Sequence, residues 1–216
     1  MNIVITGANK GIGLALTKKF LNEKHSVYAC CRKSSEELRS LEGVTLVEGL
    51  DVSDESSFEK IKSSLKNEKI DLLIQNAGIY LKETAKESFQ KQFEVNSTAP
   101  MRLSLELKEK MNSPSKIAII TSRMGSIADN TSGGSYGYRM SKAAINAGGY
   151  ALALDLKSEN IAVALIHPGY VQTDMTSNSG HISTTESAAG IFEQISKLNI
   201  ENTGTFLHSN GEKLPW

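Results

Sequence analysis

The feature that most constrains this chain is an alternation of short apolar runs with longer stretches of helical period. Residues 2–6, 26–31, 44–47, 70–75, 116–122, 161–167 and 204–207 read as strands. Leu72-Leu73-Ile74 and the runs Ile117–Ile120 and Ile161–Ile166 are continuously apolar, as strands buried on both faces must be. Residues 11–24, 53–67, 86–112, 136–158 and 184–197 carry apolar side chains at helical spacing, for example Ile12, Ala15, Leu16 and Phe20, or Leu103, Leu107 and Met111. Strands alternating with helices require right-handed crossovers. They predict an α/β fold, a doubly wound parallel sheet of about seven strands with helices on both faces. No low-complexity tract, repeat or Pro/Gly-rich linker interrupts the pattern, so residues 1–216 are expected to form a single domain. In such sheets ligands bind beyond the carboxyl ends of the strands, and functional side chains belong just after them.

Composition removes several function classes. Twenty-four Lys and Arg balance 24 Asp and Glu, which gives no general attraction to nucleic acid or to an anionic membrane. No apolar run approaches the roughly 20 residues of a membrane span. Cys30 and Cys31 are adjacent, which suits neither a disulfide framework nor a metal site. His25, His167, His181 and His208 are scattered without ligand spacing, so no metal is expected. The strand at 2–6 leaves no room for a signal peptide before it, and a cytoplasmic location is the expectation. The acceptor patterns at Asn96-Ser97-Thr98 and Asn130-Thr131-Ser132 are then chance matches.

Chemistry first appears after the first strand. Thr6-Gly7-Ala8-Asn9-Lys10-Gly11-Ile12-Gly13 ends that strand and opens a long helix. Glycines there allow a tight turn and let backbone N–H groups approach a pyrophosphate at the helix N-terminus. The spacing is Gly-x3-Gly-x-Gly, not the commoner Gly-x-Gly-x2-Gly.

That loop resembles the nucleotide loop of the short-chain dehydrogenase/reductase family, and the resemblance recurs in order along nearly the whole chain. Asp51-Val52 matches the position that contacts the adenine ring in the family. Gln75-Asn76-Ala77-Gly78 resembles its Asn-Asn-Ala-Gly motif, with Gln75 as a departure. Asn96 matches its helix asparagine, and Ser122 its strand-end serine. Tyr138 and Lys142 form Tyr-x3-Lys, and Pro168-Gly169 through Val171 to Thr173 match Pro-Gly-x3-Thr. The length and the run Gly211-Glu212-Lys213-Leu214-Pro215-Trp216 resemble the small C-factor- and sniffer-like reductases of the family. The resemblance implies a Rossmann-type fold, a catalytic set of Ser122, Tyr138, Lys142 and Asn96, and a dinucleotide held by these motifs.

The residue types suit that chemistry. Tyr138 and Lys142 share a helix face one turn apart. A phenol has a pKa near 10, and an adjacent ammonium is expected to lower it toward working pH. Ser122 can donate to a substrate carbonyl oxygen as charge develops there. Ser126 and Ser135 are rivals for that role, because sixteen positions separate Ser122 from Tyr138. By resemblance, Asn96 steadies a water that links Lys142 to solvent.

The second strand ends in Arg32-Lys33, with no carboxylate before Glu36. Arg32 suits a 2′-phosphate, since its fork contacts phosphate at two points. Lys10 resembles the second basic residue of family members that use NADP(H), so NADP(H) is the expected cofactor. The leading expectation is NADPH-dependent reduction of an aldehyde or ketone. The alternatives are an alcohol dehydrogenase working oxidatively and a non-catalytic nucleotide-binding scaffold. Residues 174–181 form a short segment, expected to be a mobile lid over an open cleft that Met124, Tyr80 and Tyr170 could line. Gly148 and Gly149 inside a helix suggest that another surface comes very close, or that the helix packs tightly on the protein's own sheet. Resemblance points to a homodimer through the helices at 86–112 and 136–158.

Overall fold

The computed structural model describes residues 1–82 and 85–216. Seven strands form one sheet: β1 (Asn2–Thr6), β2 (Ser26–Cys31), β3 (Val44–Glu48), β4 (Ile70–Gln75), β5 (Met111–Ile120), β6 (Ile161–His167) and β7 (Thr205–His208). Their order is β3-β2-β1-β4-β5-β6-β7, and every neighbouring pair is parallel. The chain reverses its direction of growth between β1 and β4, which opens a crevice at their carboxyl ends.

Alternate residues of each strand serve opposite faces. Ile3 and Ile5 pack with Leu16 and Phe20 of helix α1 (Gly11–Asn22) and with Ile191 and Ile195 of α7 (Thr184–Lys197). Val4 faces the other layer, with Ile61 of α3 (Glu59–Leu65), Leu103 of α5 (Ala99–Leu107) and Ile145 of α6 (Tyr136–Leu156). These residues are almost wholly buried, and each apolar side chain taken from water contributes about 1.5–3 kcal/mol.

Four boundaries depart from the sequence reading. A short helix α2 (Glu36–Arg39), capped by Ser35, occupies a stretch without an apolar repeat. The expected helix at 53–67 begins as a 3-10 turn at Glu55–Phe58 before α3. The expected helix at 86–112 is α4 (Lys86–Phe93), a π-helical turn at Glu94–Thr98, α5 and a 3-10 turn at Lys108–Lys110. Strand β5 starts at Met111, five residues early, because Met111 pairs with Ile70 across a register shift. Pairing partners remote in sequence decide that boundary.

The surface close to Gly148 and Gly149 belongs to the chain itself. A Cβ on Gly148 would lie 3.1 Å from Met101 Sδ of α5, and one on Gly149 would lie 2.8 Å from Leu165 of the sheet. The segment after Thr173 is hydrogen-bonded at both of its ends. Val171 bridges Ile182, Gln172 N–H donates to Ile182 O, His181 N–H donates to Tyr170 O, and a 3-10 turn spans Asp174–Thr176.

Candidate active site

The glycine loop forms where β1 runs into α1. Gly7 and Gly11 have φ of +67° and +56°, the left-handed region in which a side chain is strained. At Gly13 a Cβ would sit 2.2 Å from Gly7 O, so only glycine fits. No side chain caps the start of α1, and no acidic residue lies in its first turn. The loop therefore presents a positive helix end with no carboxylate beside it, and such an end suits a pyrophosphate. Ile12 packs inward on the core, while Asn9 is half-buried and Lys10 exposed.

Asn76 braces this loop. Its amide donates to Thr6 O (3.0 Å) and Gly7 O (3.2 Å), while the Asn76 and Ala77 N–H groups donate to Thr6 Oγ1. Ala77 lies within reach of any side chain placed on Gly7. Gln75, the departure from the family pattern, points the other way. It donates to Pro100 O and Ser104 Oγ, tying β4 to α5 from a buried position.

Arg32 is exposed beyond β2, and its charge reaches Asp51. The Asp51 carboxyl is held below its usual range by hydrogen bonds from Ser53 first, with smaller help from Lys91 and Arg32. Val52 packs on the second core layer. Lys10 is ion-paired with Asp174 at 2.6 Å in full solvent. Exposed pairs of this kind are weak and exchange partners readily, so Lys10 remains free to turn to a phosphate.

A second cluster sits at the ends of β5 and β6 under α6. Ser122 Oγ accepts from Met124 N–H and faces the Tyr138 phenol, whose pKa it draws down against the larger effect of burial. Lys142 Nζ donates to Ile120 O at 3.1 Å and lies 5.8 Å from the Tyr138 ring centre. All three side chains are buried. The sequence argument has Lys142 drawing the phenol pKa down, but desolvation wins. Burial pushes Tyr138 up to about 12 against the opposing pull of Ser122. Burial brings Lys142 down to about 8. Tyr138 is therefore a protonated phenol at rest.

Asn96 sits within the π-helical turn, a distortion frequent at functional sites. Its Oδ1 accepts from Ile79 N–H (2.8 Å), and its Nδ2 donates to Ile79 O and Ser141 Oγ. Ser141 in turn donates to Tyr138 O. Asn96 thus ties the strand β4 loop to α6, with Gly78 between it and Lys142. This use of its amide, absent from the sequence reading, runs through Ser141, which no motif singles out.

The rival serines are engaged elsewhere. Ser126 Oγ donates to Trp216 O and accepts from Asp129 N–H. Ser135 Oγ bonds the Tyr80 hydroxyl at 3.1 Å. Tyr80 packs edge-on against Tyr138, with ring centres 5.3 Å apart. Tyr170 is exposed and packs edge-on against His181 instead. Met124 contributes backbone, its carbonyl facing Arg139.

The stretch after β6 closes the site. Val171 is buried, a Cβ on Gly11 would meet Thr173, and Pro168 O accepts from Ser187 and Ser209. Gly169 has φ of +92°. His167, at the strand end, is driven down to about 3, first by burial and then by His208, Arg123 and Lys142, so its imidazole is neutral.

Comparisons with known proteins agree with this architecture. A family model described as short chain dehydrogenase matches residues 1–183. The 1-hydroxy-2-glutathionyl-2-methyl-3-butene dehydrogenase of Rhodococcus sp. (strain AD45) is 34% identical over 224 residues, covering 99% of each chain. The C-signal protein of Myxococcus xanthus is 36% identical over 154 residues, covering 68% of this chain and 93% of that protein. Among solved structures, an NADPH-bound carbonyl reductase from chicken fatty liver superposes with a TM-score of 0.91 at 26% identity, covering 100% of this chain and 98% of that one. The motifs, the sheet order and these matches coincide over the same residues: the chain belongs to the short-chain dehydrogenase family of oxidoreductases.

Proposed function

We propose that this oxidoreductase uses NADPH to reduce an aldehyde or ketone to an alcohol, with Tyr138 as proton donor. The observation that carries the reading is the buried cluster of Ser122, Tyr138 and Lys142, with Lys142 Nζ 5.8 Å from the Tyr138 ring centre. NADPH supplies the hydride. The loop of Gly7, Asn9, Lys10, Gly11, Ile12 and Gly13 would hold its pyrophosphate. Arg32 and Lys10 would hold the 2′-phosphate, and Asp51 and Val52 would flank the adenine. Asn76, Ala77, Gly78, Pro168, Gly169, Val171 and Thr173 would line the remainder. The NADPH in the chicken carbonyl reductase supports this choice.

The proton chemistry follows from the side chains. With substrate bound, the Ser122 and Tyr138 hydroxyls would each turn their proton to one carbonyl oxygen, where negative charge develops as the carbon is reduced. Tyr138, protonated at rest, transfers its proton to that oxygen. Lys142 then stabilises the phenolate left behind, and Asn96 holds the wall against which Lys142 sits. Positioned proton transfer of this kind contributes about 10²–10⁴ in rate. The name of the Rhodococcus relative, a dehydrogenase of a hydroxy compound, favours a second reading in which the same residues run the oxidation.

For assembly, the proposal is a homodimer through α5 and α6, where Leu105, Met140 and Leu154 are each more than half exposed. The function is tested by NADPH consumption with a panel of aldehydes and ketones. Turnover of at least one is expected, and binding without turnover of any would leave a nucleotide-binding scaffold as the better account.

A further inference from the structure

We propose that Trp216 is a positioning residue, clamping the Ser122 loop against helix α6 and so setting how closely the Ser122 hydroxyl approaches the Tyr138 phenol. The functional part of this proposal rests on the carbonyl-reductase reading. The loop from Ser122 to Asp129 carries the serine, while α6 carries Tyr138 and Lys142. Their separation therefore decides whether the two hydroxyls meet.

Trp216 touches both sides. Its carbonyl oxygen accepts from Ala128 N–H at 2.9 Å and from Ser126 Oγ at 3.2 Å, six and four residues beyond Ser122. Its indole packs edge-on against Tyr150 of α6, ring centres 5.6 Å apart, and stacks on Phe206 of β7 at 5.4 Å. Between these anchors the loop lies directly on the helix. A Cβ on Gly125 would come within 2.7 Å of the Lys142 carbonyl.

The segment before Trp216 is itself fixed. Leu214 N–H donates to Phe206 O, and the Leu214 side chain is buried with Leu165 and Phe206. Glu212 accepts from Arg123, the residue next to Ser122, at 2.8 Å. The loop is thus held at Arg123, Ser126 and Ala128 by one short stretch of chain. Trp216 itself stays 45% exposed, so core burial alone does not explain its contacts. An O–H···O bond weakens once its oxygens part beyond about 3 Å, and reacting groups misplaced by about 1 Å lose about a hundredfold in rate.

The test compares Trp216→Ala, Trp216→Phe and wild type in kcat, carbonyl KM, NADPH affinity and amide hydrogen exchange. Trp216→Ala should lower kcat about tenfold or more while KM and NADPH affinity stay within about threefold. Exchange should quicken at Ser126 and Ala128 but not in α1, and Trp216→Phe should recover most of kcat. Wild-type kcat in folded Trp216→Ala would overturn the proposal, as would NADPH affinity falling in step with kcat. If Trp216→Ala does not fold, Glu212→Gln serves. A lower kcat at unchanged NADPH affinity supports the clamp, and wild-type kcat with unaltered loop exchange overturns it. Should wild type reduce no carbonyl at all, that reading fails instead. Exchange at Ala128 then judges the clamp by itself, faster exchange in Trp216→Ala supporting it and unchanged exchange overturning it.

Discussion

Tyr138 and Lys142 show how burial reshapes a pair that spacing alone identifies. Both side chains lose hydration, which disfavours their charged forms, so the phenol rises and the ammonium falls. A phenol that keeps its proton suits a proton donor. The falling ammonium sets a limit on the alkaline side. Lys142 is protonated below about pH 8 and neutral above it, and only the protonated form can stabilise a phenolate. The kcat/KM for reduction should therefore be level up to about pH 8 and fall above it, and Lys142→Met should abolish the break. A wild-type profile level to pH 10 would contradict this role. The stability sign runs the other way. Between about 8 and the ordinary lysine value the unfolded chain binds more protons, so this group's contribution to stability rises with pH there. Tyr138 and Lys142 can be paired from the chain because one helical turn separates them, whereas Ser122, sixteen positions away, is found only through the family resemblance. The electrostatics of the pair are not legible in the chain, because the burial that shifts both groups is made by elements from distant parts of it.

At the level of elements, strands announce themselves and helix irregularities do not. The apolar runs Leu72–Ile74 and Ile161–Ile166 are buried on both faces as their composition requires. The π-helical turn at Glu94–Thr98 leaves the apolar periodicity of 86–112 nearly intact, yet it turns Asn96 toward Ile79 and Ser141. Gly148 and Gly149 cost a helix about 1 kcal/mol each relative to alanine. The close packing is suggested by the glycine pair itself, but its partners, Met101 and Leu165, are not. The β2 end carries Arg32 and Lys33, with no acidic residue between Cys31 and Glu36. On the NADPH reading, Arg32→Asp should move the ratio of kcat/KM values toward NADH by about tenfold or more, the loss of a charge-assisted phosphate contact. An unchanged ratio would remove Arg32 from the phosphate site.

The whole molecule brings together sites that are far apart in sequence. The reversal between β1 and β4 places the Gly7–Gly13 loop beside Asn76. The extension β5-β6-β7 then carries Ser122, Pro168 and the Trp216 segment to the same edge. Neutral overall charge and ordinary hydrophobicity say nothing of this arrangement. The outer faces of α5 and α6 expose Leu105, Met140 and Leu154, apolar surface that a second copy would cover. Light scattering at micromolar concentration should therefore give about twice the 23.4 kDa of one chain, and Leu154→Glu should shift it toward one. A single-chain mass for the wild type would reject the dimer. The central claim is proton donation by Tyr138, and the most direct measurement is single-turnover NADPH oxidation with the best carbonyl of the panel, wild type against Tyr138→Phe. The account predicts NADPH bound equally well and a rate lower by about 10²–10⁴ in the variant. Oxidation at the wild-type rate in Tyr138→Phe would contradict it.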